Sequence, residues 1–387
     1  MEKIKLGIIG AGNMGCTHIE SIKAGKCPDI IVTAVADYKP KRLEWVVENH
    51  PEIACFGTAE SMMDSGLVNA VLVATPHYSH PQLAIECFKR KLHVMVEKPA
   101  GVYTKQVKEM NEAAAANPDV VFAIMFNQRA LPVYQKIREI IKSGELGDIR
   151  RTSWIATTWY RPQAYYDSGG WRATWAGEGG GILINQCPHQ LDLFQWICGA
   201  PTKVRANCHF GKWHDIEVED DVTAYFEYEN GATGIFVSST GDSPGFNRLE
   251  ITCEKGTLLC ENGKLTIWKL EKGLTEFSKE NTEPFANPKS ERIDVEIPSG
   301  GGQHVGVLNA FANSILRGTP LIARGEEGIY SLAMSNAMYL STWLDKTIDL
   351  PIDEDLYYEE LMKRVKTSRH KKDNDTGAVN VFGTHGS

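Results

Sequence analysis

The residues most able to do chemistry together are Lys98, beside Glu97 at the end of the short apolar run His93–Val96, and the set Asn185, His189 and Asp192, spaced i, i+4, i+7. On a helix that spacing places all three on one face. Pro188 permits such a helix only if it begins near 184–188, because proline is tolerated in the first turn and kinks an interior one. An imidazole with an ordinary pKa of about 6.5 suits the removal of a proton from an alcohol at neutral pH. An ammonium can hydrogen-bond the same hydroxyl and stabilise charge developing on its oxygen. The carboxamides of Asn185 and Gln186 suit the reading of further hydroxyls, and Asp192 and Arg172 suit the positioning of a polar ligand. The chemistry implied is oxidation or reduction at a carbinol.

Such a reaction needs an acceptor for hydride, and the N-terminus has the features of one. Leu6–Ile9 runs into Gly10-Ala11-Gly12-Asn13-Met14-Gly15, a G-x-G-x-x-G between an expected strand and an expected helix. There the first glycine makes the tight turn, the second lets backbone approach a pyrophosphate, and the third packs helix on strand. The helix N-terminus, with Asn13 and Met14, offers N–H groups to phosphate. Asp37 ends the second strand, where a carboxylate holds ribose hydroxyls. It repels a 2′-phosphate and so favours NAD, while Lys39, Lys41 and Arg42 leave NADP as the second choice.

The elements that must position these groups follow a two-part pattern. Strands expected at Lys5–Ile9, Ile30–Ala36, Ala70–Ala74, His93–Val96 and Val120–Met125 alternate with helices near 14–24, 41–49, 79–90 and 104–116, the signature of a parallel sheet wrapped by helices. Lys98 then lies at the carboxyl edge of that sheet, where such folds bind ligands. After residue 127 the strands expected at Asp220–Tyr228, Thr233–Ser239, Leu249–Cys260 and Lys264–Leu270 read as antiparallel, with Asn262-Gly263 as a type I′ hairpin turn. Glu271–Ser290 reads as an exposed loop, and helices are expected at 304–317 and 326–345. The division is a Rossmann NAD(P)-binding domain over 1–127, an α+β substrate and oligomerisation domain with an open sheet over 128–350, and a tail over 351–387. That tail carries six Lys/Arg in Lys363–Lys372 and reads as a solvated or partner-embracing arm.

Composition narrows the class. The 387 residues carry 41 Lys+Arg against 49 Asp+Glu, a net charge of −8, which lacks the electrostatic pull that general nucleic-acid binders need. Nine dispersed cysteines without a C-x-x-C pair read as reduced thiols, which points to the cytoplasm. No apolar run is long enough to span a bilayer, and neither membrane nor nucleic acid is expected as a partner. His77-x-x-His80 and the set Cys187, Cys198, Cys208, His209, His214 match no tetrahedral zinc spacing, so no metal is expected. Seven aromatics fall in the 22 residues 154–175, where the chain's 9% gives about two. Such a cluster walls a sugar pocket or packs a core.

Taken together, Gly10–Gly15, Ala74-Thr75-Pro76 with His80, Glu97-Lys98-Pro99, and Gly179-Gly180-Gly181 with Asn185, His189 and Asp192 resemble the Gfo/Idh/MocA oxidoreductases over residues 1–345. The resemblance implies a Rossmann domain plus an open-faced sheet domain, a tightly held nicotinamide cofactor, and a sugar or cyclitol between them. It implies cofactor contacts from Thr75, Pro76, His80, Glu97 and Lys98, a cis peptide before Pro99, and substrate contacts from Trp171 and Arg172; Tyr160, from the aromatic cluster, is a further substrate-binding candidate. Most members carry aspartate where Asn185 stands, and the Asn185-Gln186 pair is similar to that of members oxidising the C3 hydroxyl of pyranosides. The expected activity is therefore NAD-dependent hydride removal from a ring carbinol of a pyranose or glycoside, with Lys98 and His189 as catalytic residues. Alternatives are an NAD-dependent glycosidase acting by transient oxidation and elimination, an inositol-type dehydrogenase, and a sensor that keeps the fold without chemistry. A homo-oligomer is expected, since an open sheet face is costly in water.

Overall fold

The computed structural model describes residues 3–369. Strands β1 (Ile4–Ile9), β2 (Ile30–Ala36), β3 (Ala54–Phe56), β4 (Ala70–Val73), β5 (His93–Val96) and β6 (Phe122–Ile124) form one parallel sheet in the order 3-2-1-4-5-6. β4 is buried on both faces, as expected of a central strand whose sheet is covered on each side by helices. Helices α1 (Asn13–Lys23), α2 (Pro40–Asn49), α3 (Ala59–Met63), α4 (His80–Lys89) and α5 (Thr104–Ala115) provide those layers. On one face Ile4, Leu6 and Ile8 share a core with Ile19 and Ile22 of α1. On the other, Val71 and Val73 pack with Phe88, Val107 and Met110. This is a Rossmann arrangement, and the order reverses between β1 and β4, the crevice where ligands bind.

The second half is built on a nine-stranded sheet. After α6 (Pro132–Ser143) come β7 (Ile149–Ala156), the short α7 (Gln163–Asp167), α8 (Pro188–Cys198), β8 (Lys203–Phe210), β9 (Glu219–Glu227), β10 (Thr233–Ser239), β11 (Asn247–Cys253), β12 (Gly256–Glu261) and β13 (Lys264–Leu270). The chain continues through α9 (Leu274–Glu280), β14 (Ser290–Val295), α10 (Gln303–Arg317), α11 (Gly328–Leu344), β15 (Ile348–Asp349) and α12 (Glu354–Val365). The sheet order is 14-13-12-11-7-10-9-8-15, antiparallel except for β7 against β10. Asn262 and Gly263 both have positive φ, 49° and 78°, and close the β12–β13 hairpin as the turn chemistry requires. One face of this sheet packs on α8 and α11. The other leaves Tyr225 and Ile235, a cross-strand pair, each 41% exposed.

Several expectations need correction. Leu249–Cys260 is two strands joined by a tight turn, and β7, β8 and β14 were not expected as strands. The supposed loop Glu271–Ser290 contains α9, which buries nothing. Residues 351 onward are not simply a solvated arm: Tyr357 and Leu361 of α12 are fully buried, and Tyr357 stacks on Trp343 at 5.5 Å. The i, i+4 apolar pair outweighs the surrounding charge. The end of the basic run, 370–372, lies outside the described residues. Helix α10 returns to the first sheet, where Val307, Leu308 and Phe311 join its core. Among the described residues no helix is long and apolar enough to cross a membrane, and no group of His, Cys, Asp and Glu is placed to hold a metal ion.

Candidate active site

The first sheet brings three turns to one edge. At the β1–α1 turn Gly10 takes φ +100°, and a Cβ there would meet the Ala74 carbonyl oxygen at 2.6 Å. A Cβ at Gly12 would meet nothing nearer than Arg42 Nη1 at 3.8 Å, so the backbone is open to close approach. No side chain caps α1, whose first N–H groups face this opening beside the half-buried Asn13 and Met14. Asp37, 6% exposed, accepts from the N–H groups of Ala11 and Lys39, each at 2.9 Å, and pairs with Arg42 at 3.4 Å. Two fixed backbone donors aim its carboxylate at the adenosine end of the crevice. This set fits a dinucleotide: an open cradle, a helix N-terminus and a fixed carboxylate. Thr75 and Pro76 lie half-buried on the same edge, with Thr75 Oγ1 bonded to Ser79 Oγ at 2.7 Å.

Lys98 lies two residues past the end of β5 on that edge, before a cis peptide to Pro99. Its Nζ donates to the backbone oxygen of Asn185 at 2.8 Å, a bond that joins the two halves of the molecule. Burial pulls the Lys98 pKa down, while the carboxylates of Glu97 and Glu178 pull it back up. Two residues expected at the cofactor site, Glu97 and His80, also brace it from behind. Glu97 is 4% exposed, bonded to His18 of α1 at 2.7 Å and to the Lys98 N–H at 3.2 Å. Although its own burial opposes this, the His18 bond and the nearby His304 and Lys98 hold its carboxyl down to about 2. His80 is fully buried, its ring nitrogens against the carbonyl oxygens of Pro99 at 2.8 Å and Thr75 at 2.6 Å. Both hold the turns that frame the crevice.

The second half contributes a polar cluster around Tyr165. Its hydroxyl accepts from Arg172 Nη1 at 2.9 Å, Gln186 Nε2 at 3.2 Å and Asn185 Nδ2 at 3.4 Å. The Arg172 guanidinium lies 4.6 Å from the Tyr165 ring and 4.7 Å from that of Trp171. Trp171 in turn meets the edge of His77 at 5.7 Å. Sequence reasoning missed Tyr165 as a hub and missed Glu178, a buried carboxylate that accepts from Asn185 Nδ2. Its one sequence signal was an acid placed directly before three glycines. Of the seven clustered aromatics, Trp154, Trp159, Tyr166 and Trp175 are buried in the core, and Tyr160 is 49% exposed at the margin.

The glycine run itself is held from beneath. A Cβ at Gly181 would meet the Glu219 carbonyl oxygen at 2.0 Å. The Glu219 carboxylate accepts from the N–H groups of Gly181 and Leu183, each at 2.9 Å, and from the Tyr339 hydroxyl at 2.6 Å.

Helix α8 begins at Pro188, with the proline in its first turn. Asn185 therefore precedes the helix, and His189, 7% exposed, is its second residue, with the Phe126 ring 6.3 Å away. The Lys98 bond places the ammonium against the backbone oxygen of the residue four positions before His189. Asp192 corrects its expected role. Fully buried, its two oxygens accept from Arg129 Nε at 2.7 Å and Nη2 at 2.6 Å, and Gln195 Nε2 adds a third bond at 3.1 Å. Arg129 also pairs with Glu327. Asp192 fastens α8 to the 127–130 turn and is not a substrate-positioning group.

Comparison with known proteins decides the lineage. The Oxidoreductase family, NAD-binding Rossmann fold, matches residues 4–125, and the GFO/IDH/MocA C-terminal domain matches 134–259. The chain belongs to the Gfo/Idh/MocA oxidoreductases. Among relatives in that family, a myo-inositol 2-dehydrogenase of Thermotoga maritima is 24% identical over 342 residues, 86% of this chain and 95% of that protein. A D-glucoside 3-dehydrogenase of Escherichia coli is 24% identical over 367 residues, 90% of this chain and 97% of that protein. The WlbA dehydrogenase of Bordetella pertussis, solved with NADH and UDP-GlcNAcA, superimposes with a TM-score of 0.77 at 25% identity, covering 91% of this chain and 99% of that one. Residues 4–125 form an NAD-binding Rossmann domain, as the turn chemistry implied.

Burial pushes the Glu219 carboxyl up from 4.5 to about 7, against the pull of Tyr339 and the Leu183 and Gly181 N–H groups. A carboxyl raised on folding stabilises most below its unfolded pKa, and that stability is lost as pH rises through the window to about 7, here on the order of 3 kcal/mol. Unfolding free energies of wild type and Glu219→Gln between about pH 4.5 and 7.5 check this. The variant is expected to lose that part of the pH slope, and an unchanged slope contradicts it.

Proposed function

We propose that this chain is an NAD-dependent dehydrogenase that removes hydride from a ring carbinol, C3 of a free or glycosidically linked pyranose. The observation that carries the reading is the 2.8 Å bond from Lys98 Nζ to the Asn185 oxygen. It holds an ammonium from the cofactor domain against the chain leading into His189. NAD, when bound, accepts the hydride at nicotinamide C4. Lys98 donates a hydrogen bond to the alcohol oxygen, and His189 takes its proton, a contribution worth about 10²–10⁴ in rate for a well-placed general base. Holding both reactants in one crevice converts the transfer to an intramolecular event, worth roughly 7–11 kcal/mol of barrier. Asn185, Gln186 and Arg172 gather around Tyr165 and meet sugar hydroxyls, with Trp171 as an apolar wall and Tyr160 at the margin. Asp37 favours NAD over NADP because its carboxylate repels a 2′-phosphate.

The cyclitol and glycoside dehydrogenases among the relatives are equally similar, 24% identical each; the carboxamide pair Asn185-Gln186 is what supports the glycoside. The exposed Tyr225–Ile235 pair, on the face of the second sheet turned away from α8, supports assembly with further copies of this chain.

Purified protein with NAD is expected to form NADH and a ketosugar from methyl β-D-glucopyranoside, with the carbonyl located at C3 by mass spectrometry. Lys98→Met is expected to lower kcat by about 10²–10⁴ while NADH binding is kept. A variant of unchanged kcat, or aglycone release without net NADH, defeats the reading. For the assembly, Ile235→Glu is expected to reduce the particle mass in light scattering, and a wild-type monomer contradicts it.

A further inference from the structure

Glu178 plays no part in the reaction as written, yet it is an enclosed carboxylate beside the proposed machinery, 2% exposed. One of its oxygens accepts from the Ala173 N–H at 2.5 Å and the other from Asn185 Nδ2. Among the described residues it forms no ion pair. The charged and titratable groups facing it are Arg172 and Lys98 across the site, Tyr165 and Tyr166 beside it, and His77, whose ring bonds to the Glu178 backbone oxygen at 3.1 Å. Burial pushes its pKa up, and Arg172, the Ala173 and Asn185 bonds and Lys98 draw it back.

The consequence falls on Asn185. Its Nδ2 carries two N–H groups, one directed to Glu178 and the other to the Tyr165 hydroxyl. The donor side of the amide is spent, and what it has left for a ligand is Oδ1, an acceptor. We propose that Glu178 is a positioning residue that fixes the Asn185 amide with its oxygen toward the substrate and places a second carboxylate, with Glu97, near Lys98. The proposal rests on the dehydrogenase reading for the identity of that substrate. It commits the ligand group at Asn185 to be a donor. A ring hydroxyl satisfies Oδ1, whereas a carboxylate, ketone or phosphate oxygen sets acceptor against acceptor. It also explains the residue types at both positions. Two carboxylates at hydrogen-bond distance in a buried site cannot both ionise, so beside an acid at 178 an amide at 185 supplies the N–H donor without a shared proton.

The arrangement predicts an exchange. Glu178→Gln must turn an N–H toward either the Ala173 N–H or the Asn185 amide, and Asn185→Asp sets acid against acid. In Glu178→Gln/Asn185→Asp each conflict is relieved: the Gln oxygen accepts from Ala173 and its amide donates to the aspartate. Four full-length proteins are compared, wild type, the two single variants and the double. Measured are kcat, KM and the pH profile of kcat/KM on methyl β-D-glucopyranoside, with NADH binding as the folding control and thermal midpoints recorded across pH. Each single variant is expected to lose about 10- to 100-fold in kcat. Asn185→Asp is expected to melt progressively lower than wild type as pH rises, and the double variant to recover much of both losses. A double variant no better than the worse single one, or an Asn185→Asp protein matching wild type in rate and in melting at high pH, overturns the proposal. If wild type oxidises no sugar offered, the dehydrogenase reading fails while the melting curves still decide the coupling between 178 and 185.

Discussion

A lysine ammonium withdrawn from water must be met by fixed oxygen atoms, and the site is arranged around that requirement at Lys98. Burial alone draws its pKa down; the Asn185 carbonyl, with the carboxylates of Glu97 and Glu178 nearby, opposes the loss of charge. Because the carbonyl belongs to one half of the chain and the lysine to the other, the same bond that satisfies the charge also sets the two halves in register at the crevice. Glu97 extends the constraint backward to His18 in α1, the helix whose N-terminus faces the dinucleotide. Cofactor turn, strand end and the segment leading into α8 are thereby linked through a few buried polar bonds.

The second half answers the same problem with backbone and side-chain donors. Glu219 ties the glycine run to α11 through Tyr339. Asp192 and Arg129 tie α8 to the turn after β6. A bidentate pair enclosed in this way is costly to break from one side, about 3–5 kcal/mol, since it strands a buried charge. These bonds hold His189 on a helix fixed at its first two turns, the preorganisation that the proposed proton transfer requires.

Legibility in the sequence followed the range of the interactions. Gly10 to Gly15, Asp37, the Glu97-Lys98-Pro99 turn and Pro188 as a helix start were readable because each depends on residues close in sequence. Strands such as β7 were not readable: its burial alternates from Thr152 to Ala156, but the buried Thr152 is polar and the exposed Ile155 apolar, so the sequence polarity does not follow the faces. Asp192 was misread because its partner Arg129 stands 63 positions away. Glu178 was missed because its sequence signal is only an acid before three glycines, and only folding brings Asn185 to it. The tail was misread for a related reason, since the two apolar residues that seat α12 are diluted by charge along the sequence but adjacent on one helix face.

Hydride origin is the most direct test of the central claim, that the crevice oxidises a pyranose at C3. Methyl β-D-glucopyranoside carrying deuterium at C3 is incubated with the enzyme and NAD, and the nucleotide product is analysed by mass spectrometry. The account predicts NADH heavier by one deuterium, with the label at nicotinamide C4. Unlabelled NADH, from a sugar oxidised at any other carbon, contradicts it.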